Sequence, residues 1–185
     1  MKTSNFIKPI HPKSEILPTA DAISTILDLG WVGQMKVHGH RAQIHMNADD
    51  SVPMICYTRQ GRLHSRSIPL DAQKELRRIF APQSGWTILD VEWLKSQDKF
   101  FVFDVLKWND QSLSHESYHE RYSRIPRNFL SPHIVLLPFL KDLDSCLKCL
   151  ESSDLWVEGI VLKSLDSKGF LDSSVVKCRK RSHRY

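Results

Sequence analysis

One lysine of this chain stands where it could act as a covalent nucleophile. Lys36 follows an apolar stretch, and Gly39 and Arg41 come shortly after it. A lysine attacks phosphorus only as the neutral amine, and a solvated lysine is almost fully protonated near pH 7. Burial, neighbouring cations or a bound metal can favour the neutral form. The pattern therefore leaves two interpretations, a nucleophilic lysine or an ordinary surface lysine at the end of a strand.

Two acidic residues alternate with apolar residues further along the chain. Asp90 and Glu92 lie in a stretch that is typical of a β-strand, so both carboxylates should lie on one face. Such a pair can bind a ribose hydroxyl or a divalent cation. A solvent-facing edge of a sheet would show the same pattern.

The next predicted strand combines aromatic residues with a single acid. Strict alternation places Phe101, Phe103 and Val105 on one face and Asp104 on the other. An aromatic ring at this place either belongs to the core or stacks on a purine ring.

Two segments near the C-terminal end carry further charges. Glu158 and Lys163 flank an apolar run, and Gly159 directly after the acid indicates that another group approaches the backbone closely. Lys177 and Arg179 share one face of a predicted strand, which is a suitable arrangement for binding a phosphate.

Two patterns point towards metal sites, but their context is poor. The segment from His115 to His119 has the H-E-x-x-H pattern of zinc peptidases and falls on a predicted helix. Few apolar residues surround it, and no third ligand is apparent, so we do not expect zinc hydrolysis. Cys146 and Cys149 form one C-x-x-C pair without a second pair, so we do not expect metal or redox chemistry there.

The elements that must position these residues are mostly strands. Periodicity and turn residues predict helices at 21–29, 70–80, 114–124 and 143–150. They predict strands at 31–37, 42–46, 52–57, 86–94, 100–107, 133–139, 155–163 and 173–178. Strands in hairpins with helices between them predict an α+β fold with mostly antiparallel sheets. A P-loop and a G-x-G-x-x-G motif are absent, so a nucleotide would be held by other means.

Composition favours an intracellular protein with a polyanionic partner. The chain of 185 residues is predicted to form one domain, and its net charge of +5 suits a nucleic acid without requiring one. Cations are concentrated between Lys177 and Arg184. No apolar run approaches the roughly 20 residues that span a bilayer, and the N-terminus lacks the apolar core of a signal peptide. We therefore expect a cytoplasmic or nuclear protein without membrane association.

Taken together and in order, these segments resemble the motifs of the covalent nucleotidyltransferases. This group comprises ATP-dependent DNA ligases, RNA ligases and mRNA capping enzymes. The matching segments are 36–41, 59–61, 89–92, 101–104, 158–163 and 176–179. The resemblance covers about residues 30 to 180 and implies an adenylation domain, with mostly antiparallel sheets flanked by helices and the nucleotide between them.

The resemblance also implies a role for each matching residue. Lys36 would attack the α-phosphate of ATP and then pass AMP to a 5′-phosphate, with the help of Mg²⁺. Glu92 would contact the ribose, and Phe103 would stack on the base. The implied catalytic residues are Lys36, Glu158 and Lys177; the implied nucleotide-binding residues are Arg41, Arg59, Glu92, Phe103, Lys163 and Arg179; the metal side would be Glu158 or Asp104.

Two residues depart from the usual motifs and leave the substrate open. His38 replaces an aspartate, as in one branch of RNA ligases, and Arg179 replaces the second lysine of the last motif. Arg41 and the sequences of the strands favour a DNA ligase acting on nicked duplex DNA. The alternatives are an RNA ligase, a capping guanylyltransferase, and a nucleotide- or nucleic-acid-binding protein that has lost catalysis.

A further expectation concerns the part of the chain after Lys177. DNA ligases and capping enzymes continue there into an OB-fold that closes over the nucleotide and grips the duplex. Only eight residues follow Lys177 in this sequence. We therefore expect either a minimal or truncated enzyme, or a partner protein that supplies this grip.

Overall fold

The structure, a computed structural model, describes residues 4–9, 11–169 and 175–183. Its helices are α1 (Ala20–Leu27), α2 (Leu70–Phe80), α3 (Tyr118–Ser123) and α4 (Leu143–Glu151), followed by a 3₁₀ turn (Arg181–His183). Its strands are β1 (Ser14–Glu15), β2 (Trp31–Val37), β3 (His40–Asn47), β4 (Ile55–Thr58), β5 (Trp86–Leu94), β6 (Lys99–Trp108), β7 (Gln111–Ser112), β8 (Ile134–Leu136), β9 (Val157–Ser164) and β10 (Val175–Arg179). The predicted α+β class is confirmed. Arg184 of the basic run and positions 173 and 174 of the last predicted strand lie outside the described residues.

The strands form two sheets, and the chain changes sheet beside Lys36. The small sheet has the order β1-β10-β9-β2, and the large sheet has the order β4-β3-β5-β6-β7 with β8 beside β6. Strands β2 and β3 are consecutive in the chain but belong to different sheets, so His38 and Gly39 form the crossing point. Most described pairs of strands are antiparallel, as expected; β1 with β10 and β8 with β6 are parallel.

Each sheet has a hydrophobic core of its own. Helix α2 covers the large sheet with an apolar face in which Leu76 and Phe80 are buried one turn apart. Helices α1 and α4 cover the small sheet, where Cys146 and Cys149 of α4 pack with Ile160. Burial raises the pKa of both thiols to about 11, so they serve this core as small apolar side chains. Among the described residues, no helix is long and apolar enough to cross a membrane.

Two glycines allow strands to approach closely around the crossing point. A Cβ on Gly159 would lie 2.3 Å from the carbonyl oxygen of Cys178, and φ of Gly159 is +154°. The close approach predicted there is confirmed, and the approaching group is strand β10. A Cβ on Gly39 would lie 2.8 Å from the carbonyl oxygen of Trp93, so this glycine is needed for contact with β5.

The predicted helix over residues 114–124 is shorter than expected. Helix α3 begins at Tyr118 because Ser117 caps it: the Ser117 hydroxyl accepts from the Glu120 N–H, and the Glu120 carboxylate accepts from the Ser117 N–H. His115 therefore lies before the helix, and His119 lies within it. The prediction that one helix carries both histidines is wrong.

Candidate functional site

A cavity of about 660 Å³ is lined by strands of both sheets. Its size is typical of sites for small molecules. The expected site residues that line it are Lys36, Arg41, Arg59, Glu92, Phe103, Asp104, Glu158, Lys163 and Lys177. Arg179, the remaining member of the expected set, lies beside the cavity. The fold thus brings together side chains that are far apart in the sequence.

Lys36 is held by an ion pair that crosses from β2 to β9. Its Nζ donates a hydrogen bond to Glu158 Oε2, and His38 Nδ1 lies 3.6 Å from the same oxygen. The Glu158 side chain is 14% exposed, so its charge is poorly hydrated and needs these partners. The register of β2 shifts between Lys36 and Val37, so an irregularity of the sheet coincides with this lysine.

The two acids of β5 lie on the cavity side, as the alternation predicts. Asp90 accepts two hydrogen bonds from Arg41, from Nε at 3.0 Å and from Nη2 at 2.6 Å. Such a bidentate pair fixes the plane of the guanidinium group. The opposite face of β5 is core, with Leu89, Val91 and Trp93. Asp90 is almost fully buried and not part of a solvated edge, so it serves to orient Arg41.

Glu92 is a partly buried carboxyl beside Lys36. Burial raises its pKa to about 7, although the charges of Lys36 and Arg41 act in the opposite direction. The Gly39 backbone also hydrogen-bonds to this carboxyl and favours its charged form. Glu92 can therefore change its protonation state near neutral pH.

The raised pKa of Glu92 predicts a pH-dependent gain in stability for Glu92→Gln. An unfolded glutamate ionises near pH 4.5, whereas the folded carboxyl ionises near pH 7, so its cost to folding grows between these values and is complete above pH 7. The amide carries no such cost. We expect a gain on the order of 1 kcal/mol at pH 8 and a smaller one at pH 5, measured by urea unfolding. An equal gain at both pH values would contradict this assignment.

Strand β6 contains a bulge that changes the predicted faces. Val91 pairs with Val102 and Asp90 pairs with Asp104, so Phe103 is an additional residue without a partner position on β5. Phe103 and Asp104 consequently both line the cavity, and Val105 returns to the core of the large sheet. The prediction that Phe103 and Val105 share a face opposite Asp104 is wrong, because alternation does not persist across a bulge.

Helix α3 contributes two cavity residues that the motifs did not indicate. Arg121 donates from Nε and Nη2 to the two oxygens of Asp104, both at 2.9 Å. Tyr118, three residues earlier on the same face, lines the cavity with it. Their spacing of three residues within the predicted helix is the sequence signal that could have indicated them.

The inner end of the cavity is a buried polar cluster around Lys163. Its Nζ donates to Gln34 Oε1 at 2.9 Å and to the Tyr118 hydroxyl at 3.0 Å, and it lies 4.7 Å from the centre of the Phe103 ring. Burial lowers the pKa of Lys163 to about 7. Gln34 in turn donates to the Leu137 carbonyl oxygen at 2.9 Å, which directs its own oxygen towards Lys163.

At the outer side, the cations of β10 meet an acid that the sequence patterns did not indicate. Glu15 on β1 accepts from Arg179 Nε at 3.0 Å and from Nη2 at 2.7 Å, and Lys177 Nζ lies 3.9 Å away. A strand of two residues is too short to show a periodicity, so no pattern in the sequence indicated that Glu15 pairs with these cations. Arg59 follows β4 at the rim of the cavity, near His11.

The carboxylate and imidazole groups that line the cavity come from several strands and loops. Within residues 4–9, 11–169 and 175–183, no group of three or more His, Cys, Asp or Glu residues could hold a metal ion by itself. Glu116 of the H-E-x-x-H segment forms an ion pair with Arg124. This glutamate therefore has a structural partner.

Comparison with known proteins places these features in a family. A sequence model of the RNA ligase family matches residues 30–179. Comparison with curated protein sequences gives no match.

Solved structures of ligases have a similar fold. The chain is similar to a mycobacterial DNA ligase D complexed with ATP and MES, with a TM-score of 0.56 and 18% identity over 80% of this chain and 54% of that one. It is similar to the ligase domain of M. tuberculosis LigD, with a TM-score of 0.52 and 18% identity over 80% and 53%. It is also similar to Pmar-Lig_PreS3, with a TM-score of 0.57 and 16% identity over 90% of this chain and 46% of that one. The chain thus spans about half the length of these structures, and at such identities the likeness concerns the fold.

Proposed function

Because the chain belongs to the RNA ligase family and has the fold of a ligase-type nucleotidyltransferase domain, we propose that it is an ATP-dependent polynucleotide ligase. We propose further that it acts through a covalent lysyl-AMP intermediate. The observation that carries this proposal is the pair formed by Lys36 and Glu158 in a cavity that also presents Arg41, Lys163 and Lys177. A nucleophile, a proton acceptor and cations for phosphates are thereby within reach of one ligand.

In the first step, the Lys36 amine attacks the α-phosphorus of ATP. A P–N bond forms, and the P–O bond to pyrophosphate breaks. The amine must lose a proton, and Glu158 is the proposed acceptor because its carboxylate already accepts a hydrogen bond from Lys36 Nζ. The protein supplies position and charge neutralisation, which dominate phosphoryl and nucleotidyl transfer.

The other lining residues would bind the nucleotide. Phe103 offers a ring for stacking on the base, and Glu92 offers a carboxyl to the ribose hydroxyls. Arg41, held in place by Asp90, and Lys177 would neutralise the phosphates, with Arg59 at the rim. Lys163 would contact the nucleotide at the inner end of the cavity.

The carboxylates also suit Mg²⁺, which usually binds through one or two carboxylates together with substrate phosphates. Glu158 is the better candidate, because it lines the cavity beside Lys36 and its Oε1 makes only a long contact with a cation, Arg179 Nη1 at 3.8 Å. Both oxygens of Asp104 already accept from Arg121, so this acid is the weaker candidate. When bound, the ion would neutralise negative charge on the phosphates of ATP.

In the later steps, a 5′-phosphate oxygen attacks the AMP phosphorus and releases Lys36, and a 3′-hydroxyl then attacks the activated phosphate and releases AMP. We propose nicked duplex DNA as the substrate. RNA is the second candidate, because the family match is to RNA ligases and Lys36-Val37-His38-Gly39 has a histidine in place of the usual aspartate, as in one branch of RNA ligases.

Labelling with nucleotide tests the proposal directly. The full chain, incubated with Mg²⁺ and ATP labelled at the α-phosphate, should acquire a protein-bound label that is labile in acid and stable in base, as a phosphoramidate is. Labelled GTP should give none. A label from GTP alone would favour capping chemistry, and ATP binding without any adduct would favour the noncatalytic alternative.

Sealing assays then separate the two substrates. Nicked DNA and nicked RNA duplexes of one sequence, each with a 5′-phosphate at the nick, should differ in the yield of sealed strand, with DNA preferred. Preferential sealing of RNA would overturn the DNA assignment and leave the adenylylation proposal intact.

A further inference from the structure

Five charged side chains of alternating sign connect Lys36 to the cations of β10. Lys36 pairs with Glu158, whose other oxygen lies 3.8 Å from Arg179 Nη1. Arg179 is bound by both oxygens of Glu15, and Glu15 also lies 3.9 Å from Lys177 Nζ. The carboxylate of Glu15 thus sits between two cations that are suited to bind phosphate.

We propose that Glu15 is an internal counter-anion, which occupies the anion site formed by Lys177 and Arg179 until phosphate groups of the nucleotide displace it. This inference rests on the proposed function, since it concerns the phosphates of the same ligand. It assigns to β1 a part in setting the affinity of the cavity for phosphates.

The identity of residue 179 fits this role. A guanidinium group binds a carboxylate or a phosphate through two parallel N–H···O bonds, whereas a lysine acts as a point charge. Arg179 makes the two-bond contact with Glu15. The arginine that departs from the usual motif is therefore matched by a carboxylate from another strand, which offers the pair of oxygens that a phosphate would offer.

The position of Glu15 allows it to be displaced. Strand β1 comprises two residues at the edge of the small sheet, and its own side chains take no part in the hydrophobic cores. The side chains of Glu15, Arg179 and Lys177 are 24%, 28% and 25% exposed. Pairs with this much water contribute modestly to stability, and a triphosphate with several negative charges competes well against one carboxylate.

Arg179 also connects this exchange to the nucleophile. When Glu15 leaves, Arg179 keeps its proximity to Glu158, which holds Lys36. A phosphate that takes the place of Glu15 therefore enters beside the Lys36–Glu158 pair. The contact would thus couple the arrival of phosphate to the site of reaction.

The test is a calorimetric titration of the full chain with inorganic pyrophosphate. Glu15→Gln keeps the shape of the side chain and removes its charge, so pyrophosphate should bind about three- to tenfold more tightly than to the wild type. Glu15→Asp, which retains the charge, should stay closer to the wild type. The matched control is Asp144→Asn, which removes an exposed carboxylate from an ion pair with Lys148 on α4, away from the cavity lining, and should leave the affinity unchanged.

The outcomes separate this proposal from the proposed ligase activity. Weaker or unchanged pyrophosphate binding by Glu15→Gln would overturn the counter-anion role, and so would an equal gain in Asp144→Asn. Pyrophosphate binding requires no covalent chemistry. Tighter binding by Glu15→Gln in a protein that forms no adduct would therefore reject the ligase proposal alone.

Discussion

Replacement of Lys36 by alanine should reduce covalent labelling by ATP to background, a loss of at least about 10³-fold, because the atom that forms the P–N bond is removed. Lys36→Arg should fail as well, since a guanidinium group keeps its proton at any pH at which the protein is folded. Labelling is measured on denatured protein after gel separation, so that bound ATP does not contribute. The control is Lys74→Ala on α2, where the lysine is 78% exposed and pairs with Asp71.

Undiminished labelling of the Lys36→Ala protein would place the adduct on another lysine. Lys163 would then be the residue to examine, because burial lowers its pKa to about 7 and a large fraction of its amine is neutral at physiological pH. Lys163→Met would decide between the two. If both variants instead lose the label, preserved ATP binding in Lys36→Ala alone would assign attack to Lys36 and nucleotide binding to Lys163.

Removal of Arg121 should be the most destabilising single change around the cavity. The Arg121 side chain is 1% exposed, and its two hydrogen bonds hold the buried carboxylate of Asp104. Arg121→Met would leave this carboxylate without its cation, at a cost of about 3–5 kcal/mol of unfolding free energy. Arg124→Met provides the control, because its pair with Glu116 is more exposed and should contribute about 1 kcal/mol or less.

The same pair predicts a coupling and a pH dependence. The double variant Arg121→Met/Asp104→Leu should lose much less stability than the sum of the two single variants, because no buried charge remains. Burial already raises the pKa of Asp104, and Arg121 opposes this effect. Without Arg121, the protonated form of Asp104 is favoured over its buried carboxylate. The unfolding free energy that Arg121→Met loses should therefore be smaller at pH 5 than at pH 8. Urea unfolding at both pH values measures it, and strictly additive losses would contradict the coupling.

Much of the fold follows from local pattern. The bounds of β2, α2 and β5 agree with prediction residue by residue, because apolar periodicity and the flanking turn residues depend on neighbours in the sequence. The alternation in β5 correctly placed Asp90 and Glu92 on one face. The helix predicted from residue 114 failed at its start, because the capping interaction of Ser117 overrode the broader polar pattern.

In the candidate site, too, the sequence predicted one part and the tertiary structure decided the other. Order and spacing of the motif residues selected nine of the side chains that line the cavity, since each motif lies on one strand or turn whose geometry is local, but they did not indicate Tyr118 and Arg121. Only the tertiary structure decided which side chains form pairs: Glu15 with Arg179, Asp90 with Arg41, and Arg121 with Asp104. It also decided the position of the bulge that turns Phe103 and Asp104 to the same side. These pairings depend on the register between strands and on the docking of distant segments, which no local period encodes.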